Sequence, residues 1–124
     1  MTINTGVTIA VVEDDAGLRT ALQQLLRSAG FRAVTFGSAE EFLADAERAQ
    51  AECLIADINL PGMSGVELVK RLGTNGQRLP AVLITGRADA ATLELARQVE
   101  GVPRLDKPFS DAALFEVIEQ VMRR

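Results

Sequence analysis

Cys53-Leu54-Ile55-Ala56-Asp57-Ile58-Asn59-Leu60-Pro61-Gly62-Met63-Ser64-Gly65 is the stretch that decides the fold. Its first half is short and apolar, the composition of a strand buried on both faces. Pro61-Gly62 and Ser64-Gly65 then stop the strand and open a helix. Ser64-Gly65-Val66-Glu67 has the form of a capping box, with Ser at the N-cap and Glu three residues on. Asp57 stands where the buried strand meets the loop. In an open parallel α/β sheet, ligands gather at the carboxyl ends of the strands. A charge is rarely left at such a point without a partner or a task. From this stretch alone, Asp57 is either a site residue or a helix-capping or turn aspartate.

The same pattern repeats on either side. Val7 to Val12 is a continuous apolar run, followed by Glu13-Asp14-Asp15. From Ala16 the period becomes helical, with Leu18, Leu22, Leu25, Leu26 and Ala29 on one stripe and Gly30 as the stop. Phe31 to Phe36 reads as a second strand. Ser38-Ala39-Glu40-Glu41 caps a helix carrying Phe42, Leu43 and Ala46 that fades near Ala49. The third strand spans Glu52 to Asp57, and its helix runs through Leu68, Val69 and Leu72 to Gly73. Thr74 to Pro80 is a polar turn containing Asn75-Gly76. Ala81 to Thr85 is a fourth buried strand, and Asp89 can cap a helix carrying Leu93, Ala96 and Val99. Val102 to Leu105 is a weak fifth strand, because Pro103 cannot donate to a ladder, which suits an edge. Ser110 caps a last helix with Leu114, Phe115, Ile118, Val121 and Met122 on its apolar side. Strand and helix alternating five times predict a doubly wound parallel sheet, flavodoxin-like, (βα)5, in the order 2-1-3-4-5.

Composition bounds the function. At 124 residues, 48% hydrophobic and 24% charged, the chain is one ordinary globular domain, 1–124, able to build a core without staples. Net charge is −4 and the isoelectric point is near 4.8, so the basic footprint of a nucleic-acid-binding domain is missing. The lone cysteine, Cys53, excludes an internal disulfide and reads as a small core residue. The absence of histidine excludes imidazole catalysis and imidazole metal ligation by this chain. No apolar run approaches membrane-spanning length, and Met1-Thr2-Ile3-Asn4-Thr5-Gly6 lacks the basic start and apolar middle of a signal peptide. The expectation is a cytoplasmic protein with no membrane contact and no direct contact with nucleic acid.

The residues after each strand share one edge of a parallel sheet: Glu13 and Asp14, then Asp57, then Thr85, then Lys107. Crowded carboxylates repel and call for a counter-charge. An all-oxygen cluster suits a hard cation, magnesium in preference to calcium or zinc. Cation, ammonium and hydroxyl around a carboxylate make a site for a phosphoryl group. The carboxylate itself can be the nucleophile, giving an acyl phosphate.

Val11-Val12-Glu13-Asp14-Asp15, Asp57 with Leu60-Pro61-Gly62-Met63-Ser64-Gly65, Ile84-Thr85-Gly86 and Lys107-Pro108-Phe109 together resemble the receiver domain of a bacterial two-component response regulator. The wording is nearest to receivers of the nitrogen-fixation and nitrate-response type. The resemblance runs from about Val7 to Val121. It implies a phosphorelay signalling module and not an enzyme. Asp57 would be the phosphoacceptor, Thr85 the switch hydroxyl and Lys107 the phosphoryl-pairing lysine. Asp14 would hold Mg2+ directly, Glu13 would be the outer acidic member, Asn59 would offer its backbone carbonyl, and Asp57 would complete the metal set. The Lys107-Pro108 bond resembles the family's cis peptide. The implied partners are a sensor histidine kinase or a phosphotransfer protein, with a possible homodimer through the fourth-helix, fifth-strand and fifth-helix face.

The sequence departs from the resemblance where receivers carry an aromatic three residues before the lysine. Arg104 stands there, and Val99-Glu100-Gly101 replaces the usual Ala-Gly-Ala. A guanidinium cannot be an apolar plug, so Arg104 is expected to stay outward, paired with Glu100 or with an acid on another copy. Other readings are a magnesium-dependent aspartyl-phosphate phosphatase, a degenerate receiver acting as an interaction module, and a flavin-binding module of the same sheet order. The phosphatase usually has a second acid where Asn59 stands. The flavin module needs a phosphate-cradling loop where Glu13-Asp14-Asp15 would repel one.

Overall fold

The computed structural model describes residues 6–45, 50–74 and 79–123. The elements are β1 (Thr8–Val12), α1 (Ala16–Ser28), β2 (Arg32–Phe36), α2 (Ala39–Ala44), β3 (Cys53–Asp57), α3 (Gly65–Thr74), β4 (Ala81–Thr85), α4 (Ala90–Arg97), β5 (Arg104–Asp106) and α5 (Asp111–Met122). Every strand pairing is parallel and the order is β2-β1-β3-β4-β5. This is the flavodoxin-like (βα)5 sheet that the alternation predicts. The chain leaves β1 for β2 on one side, then crosses back to β3 on the other. The crevice between the carboxyl ends of β1 and β3 is therefore the topological switch point, where such sheets bind ligands.

Alternation along the strands splits the core into two layers. Ile9, Val11, Cys53, Ile55, Val82 and Ile84 face α1 and α5, meeting Leu22, Leu26, Leu114 and Ile118. Ala10, Val12, Leu54, Ala56 and Leu83 face the other way, against Phe42, Val66, Leu68 and Leu72. Each large side chain fully buried in this way contributes about 1.5–3 kcal/mol. Burial pushes the Cys53 thiol up to about 12, so it is an inert filler of the first layer.

Helix ends follow local chemistry. Asp15, Ser38, Asp89 and Ser110 accept N–H bonds at the starts of α1, α2, α4 and α5. After α1, Gly30 takes φ +97° while Gly30 N donates to Arg27 O and Phe31 N to Leu26 O, a Schellman close.

Several element bounds differ from expectation. α2 ends at Ala44, with Asp45 in extended backbone. Ala46 and Ala49, which the sequence reading places on or near it, lie outside the described residues, as does Asn75-Gly76. α4 stops at Arg97, and Val99 packs on the second core layer from the turn that follows. β5 begins at Arg104 and not Val102 because Pro103 has no N–H for the ladder; its carbonyl still accepts from Leu83 N at 2.9 Å.

The site depends on one close approach. Gly65 N donates to Ile58 O at 3.2 Å, which seats the start of α3 against the end of β3. A Cβ on Gly65 would strike the backbone carbonyl of Asp57. Gly65→Ala is therefore expected to lower stability by about 1–3 kcal/mol, read as a shifted urea midpoint at unchanged slope. An unshifted midpoint would mean that α3 is not seated by this contact.

Candidate functional site

Each strand of the inner sheet ends in a different functional group. β1 runs out into Glu13 and Asp14, β3 into Asp57, β4 into Thr85, and β5 is followed by Lys107. Register aligns these ends, with Val12 opposite Ala56 and Asp57 opposite Ile84. Lys107 is anchored at its base by its N–H, which donates to Thr85 O at 2.8 Å, and the Lys107-Pro108 peptide is cis.

The ammonium of Lys107 bridges two carboxylates. Nζ donates to Asp57 Oδ2 at 2.7 Å and to Glu13 Oε1 at 2.9 Å. Glu13 is 1% exposed and Asp57 is 5% exposed, so both depend on the protein for charge compensation. Asp57 Oδ1 also accepts Asn59 N at 2.9 Å, and Glu13 Oε2 accepts Asp15 N at 3.1 Å. Arg19 Nη1 donates to the Glu13 carbonyl at 2.8 Å and steadies the loop from α1. Asp14 is exposed at the mouth.

Carboxylate oxygens of Glu13, Asp14 and Asp57 lie within 4.8 Å of one another. The donor set is all oxygen, and each carboxylate oxygen retains lone-pair capacity beyond its present bond. These residues fit a hard divalent cation such as Mg2+.

Thr85 is 1% exposed and its hydroxyl is committed elsewhere. Oγ1 donates to Asn59 Oδ1 at 2.7 Å and accepts Arg87 N at 3.0 Å. Asn59 Nδ2 donates onward to Thr92 Oγ1 at 3.0 Å. Sequence reasoning singles out Asn59 for its carbonyl and passes over both its side chain and Thr92. A threonine in the first turn of an Ala/Leu helix carries no sequence signal of a polar partner 33 residues earlier. Arg19 is missed for the same reason.

Arg104 is exposed, as expected, but its partner is different. Nε lies 3.0 Å from Asp106 Oδ1, so neither Glu100 nor an acid on another copy is needed. Residues two apart on a strand share a face, and Asp106 is that neighbour.

Comparison with known proteins places this architecture. The profile of the response regulator receiver domain matches residues 9–119. The chain belongs to that family. The transcriptional regulatory protein FixJ of Bradyrhizobium diazoefficiens is 35% identical to this receiver over 116 residues, which are 94% of this chain and 57% of that protein. Nodulation protein W of the same organism is 35% identical over 98% of this chain and 53% of its own length. This receiver thus spans about half the length of the curated relatives it matches. Among solved structures, FixJ-N superposes with a TM-score of 0.83 at 32% identity, covering 97% of this chain and 96% of that one. Chemotaxis protein CheY4 of Vibrio cholerae superposes with a TM-score of 0.82 at 26% identity, covering 94% and 99%. The receiver is of the FixJ type, and no described helix is long and apolar enough to cross a membrane.

The pH dependence of the cluster has a definite sign. Burial pulls the Lys107 ammonium down, but its bonds to Asp57 and Glu13 outweigh that and hold it above its ordinary 10.5. Its contribution to stability is complete below 10.5 and is lost as pH rises through the raised value. Burial first, and the Asp57 charge after it, push the Glu13 carboxyl above its ordinary 4.5, against the Asp15 N–H and Lys107. Ionised Glu13 therefore costs the fold stability, a cost relieved as pH falls through the raised value. Lys107→Met is expected to destabilise the domain at neutral pH by on the order of 2 kcal/mol. The deficit should narrow towards about pH 4, where carboxyls take up protons. Urea titrations across that range measure it, and a deficit independent of pH would contradict the charge-compensation role.

Proposed function

We propose that this receiver is the phosphoacceptor module of a two-component phosphorelay, with Asp57 as the residue that takes the phosphoryl group. The observation that supports this most is the Lys107 ammonium held between Glu13 and Asp57, with Asp14 in reach, at the topological switch point. The donor would be a phosphohistidine on a sensor kinase or phosphotransfer protein. An Asp57 carboxylate oxygen attacks phosphorus, the P–N bond to the donor histidine breaks, and the imidazole leaves with its electron pair. Lys107 then pairs with a phosphoryl oxygen and Thr85 turns its hydroxyl proton towards another. Mg2+, when bound, supplies charge neutralisation between the carboxylates and the incoming anion. Glu13, Asp14, Asp57 and the Asn59 carbonyl would hold it.

The chain's role in this reading is that of a two-state surface biased by phosphorylation. With Arg104 outside and paired to Asp106, the signal passes from Thr85 through Gly86-Arg87-Ala88 into α4. A homodimer would use the face of α4, β5 and α5, with Arg104 at its rim. In this reading the domain signals from the cytoplasm, and any contact with nucleic acid would be made outside these residues.

Incubation with a small acyl phosphate and Mg2+ should add one phosphoryl group per chain. Omission of Mg2+ or Asp57→Asn should abolish it. Asp14→Ala should weaken Mg2+ binding by about tenfold or more, and Glu13→Gln by less. Incorporation that survives Asp57→Asn, or repeated turnover of an aryl phosphate, would contradict the proposal.

A further inference from the structure

Thr92 is the one buried residue of α4, at 2% exposure, in the first turn of a helix that otherwise lies lightly on the domain. Its hydroxyl is the far end of a chain of hydrogen bonds that starts at Thr85. The direction of each bond can be fixed from the groups themselves. Asp89, the N-cap of α4, accepts Thr92 N at 2.8 Å, and that bond first, with the nearby Thr92 side chain after it, holds its carboxyl below the ordinary range. Thr92 Oγ1 accepts from the Asn59 carboxamide, whose Nδ2 can only donate and lies 3.0 Å away. Asn59 Oδ1 then faces Thr85, and accepts its proton at 2.7 Å. The other acceptor for that proton, Arg87 O, is more distant at 3.3 Å. Both bonds run one way, Thr85 to Asn59 to Thr92, and bonds aligned in this manner polarise one another.

We infer that Thr92 is a positioning residue for Thr85: through the Asn59 carboxamide it holds the Thr85 hydroxyl in its resting orientation and ties the release of that hydroxyl to the first turn of α4. The inference rests on the phosphoacceptor reading of Asp57. When the Thr85 hydroxyl turns to donate a hydrogen bond to a phosphoryl oxygen, Asn59 Oδ1 loses its donor. A rotation of the carboxamide to find another takes Nδ2 away from Thr92, a buried hydroxyl. Asn59 N is meanwhile the donor to Asp57 Oδ1 at 2.9 Å, so the same residue touches the phosphoacceptor and the helix. Release of Thr85 and rearrangement of the α4 N-terminus are thus a single event. Three residues, from the loop after β3, from β4 and from the first turn of α4, carry it, and none needs an aromatic at position 104.

The test compares the wild-type chain with Thr92→Val, which removes the acceptor for Asn59 Nδ2, and Thr92→Ser, which keeps it. Phosphorylation from acetyl phosphate with Mg2+ should be about fivefold faster in Thr92→Val, the factor equivalent to one neutral hydrogen bond, and within about twofold of wild type in Thr92→Ser. A purely structural role for Thr92 would slow the Val variant, and that result, or equal rates in all three chains, would overturn the inference. A second readout uses wild type alone. On addition of beryllofluoride and Mg2+, the Asn59 side-chain NH2 and the Thr92 backbone amide should shift together in 15N spectra with Thr85. A shift at Thr85 that leaves Asn59 NH2 and Thr92 in place would overturn it even if the Val variant does not fold. If wild type takes no phosphoryl group from acetyl phosphate, the phosphoacceptor reading itself falls, a failure distinct from equal rates among phosphorylated chains.

Discussion

Two carboxylates sit nearly out of water at the end of the sheet, and the ammonium of Lys107 makes that possible. Glu13 and Lys107 are 94 residues apart, and their 2.9 Å contact joins the end of the first strand to the loop after the last. β5 is an edge strand, two places from β3 and three from β1. The lysine stem has to cross that distance over the strand ends, so its base must be fixed, and the bond from Lys107 N to Thr85 O does this. The sheet order brings β1 and β3 side by side, the seating of α3 on Gly65 keeps Asp57 at the crevice, and the lysine closes it. Remove the ammonium and the remaining charges have no reason to stay buried.

Such a cluster is a poor device for stability. Desolvation of an ion pair can exceed its Coulombic gain, and apolar residues of similar volume often serve the fold better. The raised Glu13 carboxyl has burial as its largest cause, even with an ammonium and an N–H donor beside it. The rest of the molecule is locally consistent: capped helices, alternating strands and two apolar layers. A departure from that economy at the carboxyl edge of a parallel sheet is what a functional site looks like in physical terms.

Most of the fold was legible because parallel strands covered on both faces are written as unbroken apolar runs, and the capping residues mark where each helix starts. The acidic pair, Asp57, Thr85 and Lys107 were legible because strand ends are the one place where this topology lets distant residues meet. What could not be read depends on side chains that meet without a sequence rule. Thr92 is an unremarked helical threonine until Asn59 reaches it, and Arg19 is an ordinary α1 arginine until it caps the Glu13 carbonyl. The sequence offers Glu100 or an acid on another copy as the Arg104 partner, whereas strand alternation puts Asp106 on the same face, and Arg104 pairs there. The end of α4 at Arg97 is earlier than the apolar pattern suggests, since an apolar residue just beyond a helix, here Val99, can still pack on the core.

If Asp57 is the group that takes the phosphoryl, Lys107 is held in reserve for it. A crystal structure of this chain with Mg2+ and beryllofluoride tests this most directly. Beryllofluoride should be joined to an Asp57 oxygen, with Lys107 Nζ moved from Asp57 onto a fluorine and Thr85 Oγ1 turned off Asn59 towards another. An unmodified Asp57 with Lys107 still bridging it to Glu13, at saturating beryllofluoride and Mg2+, would contradict it.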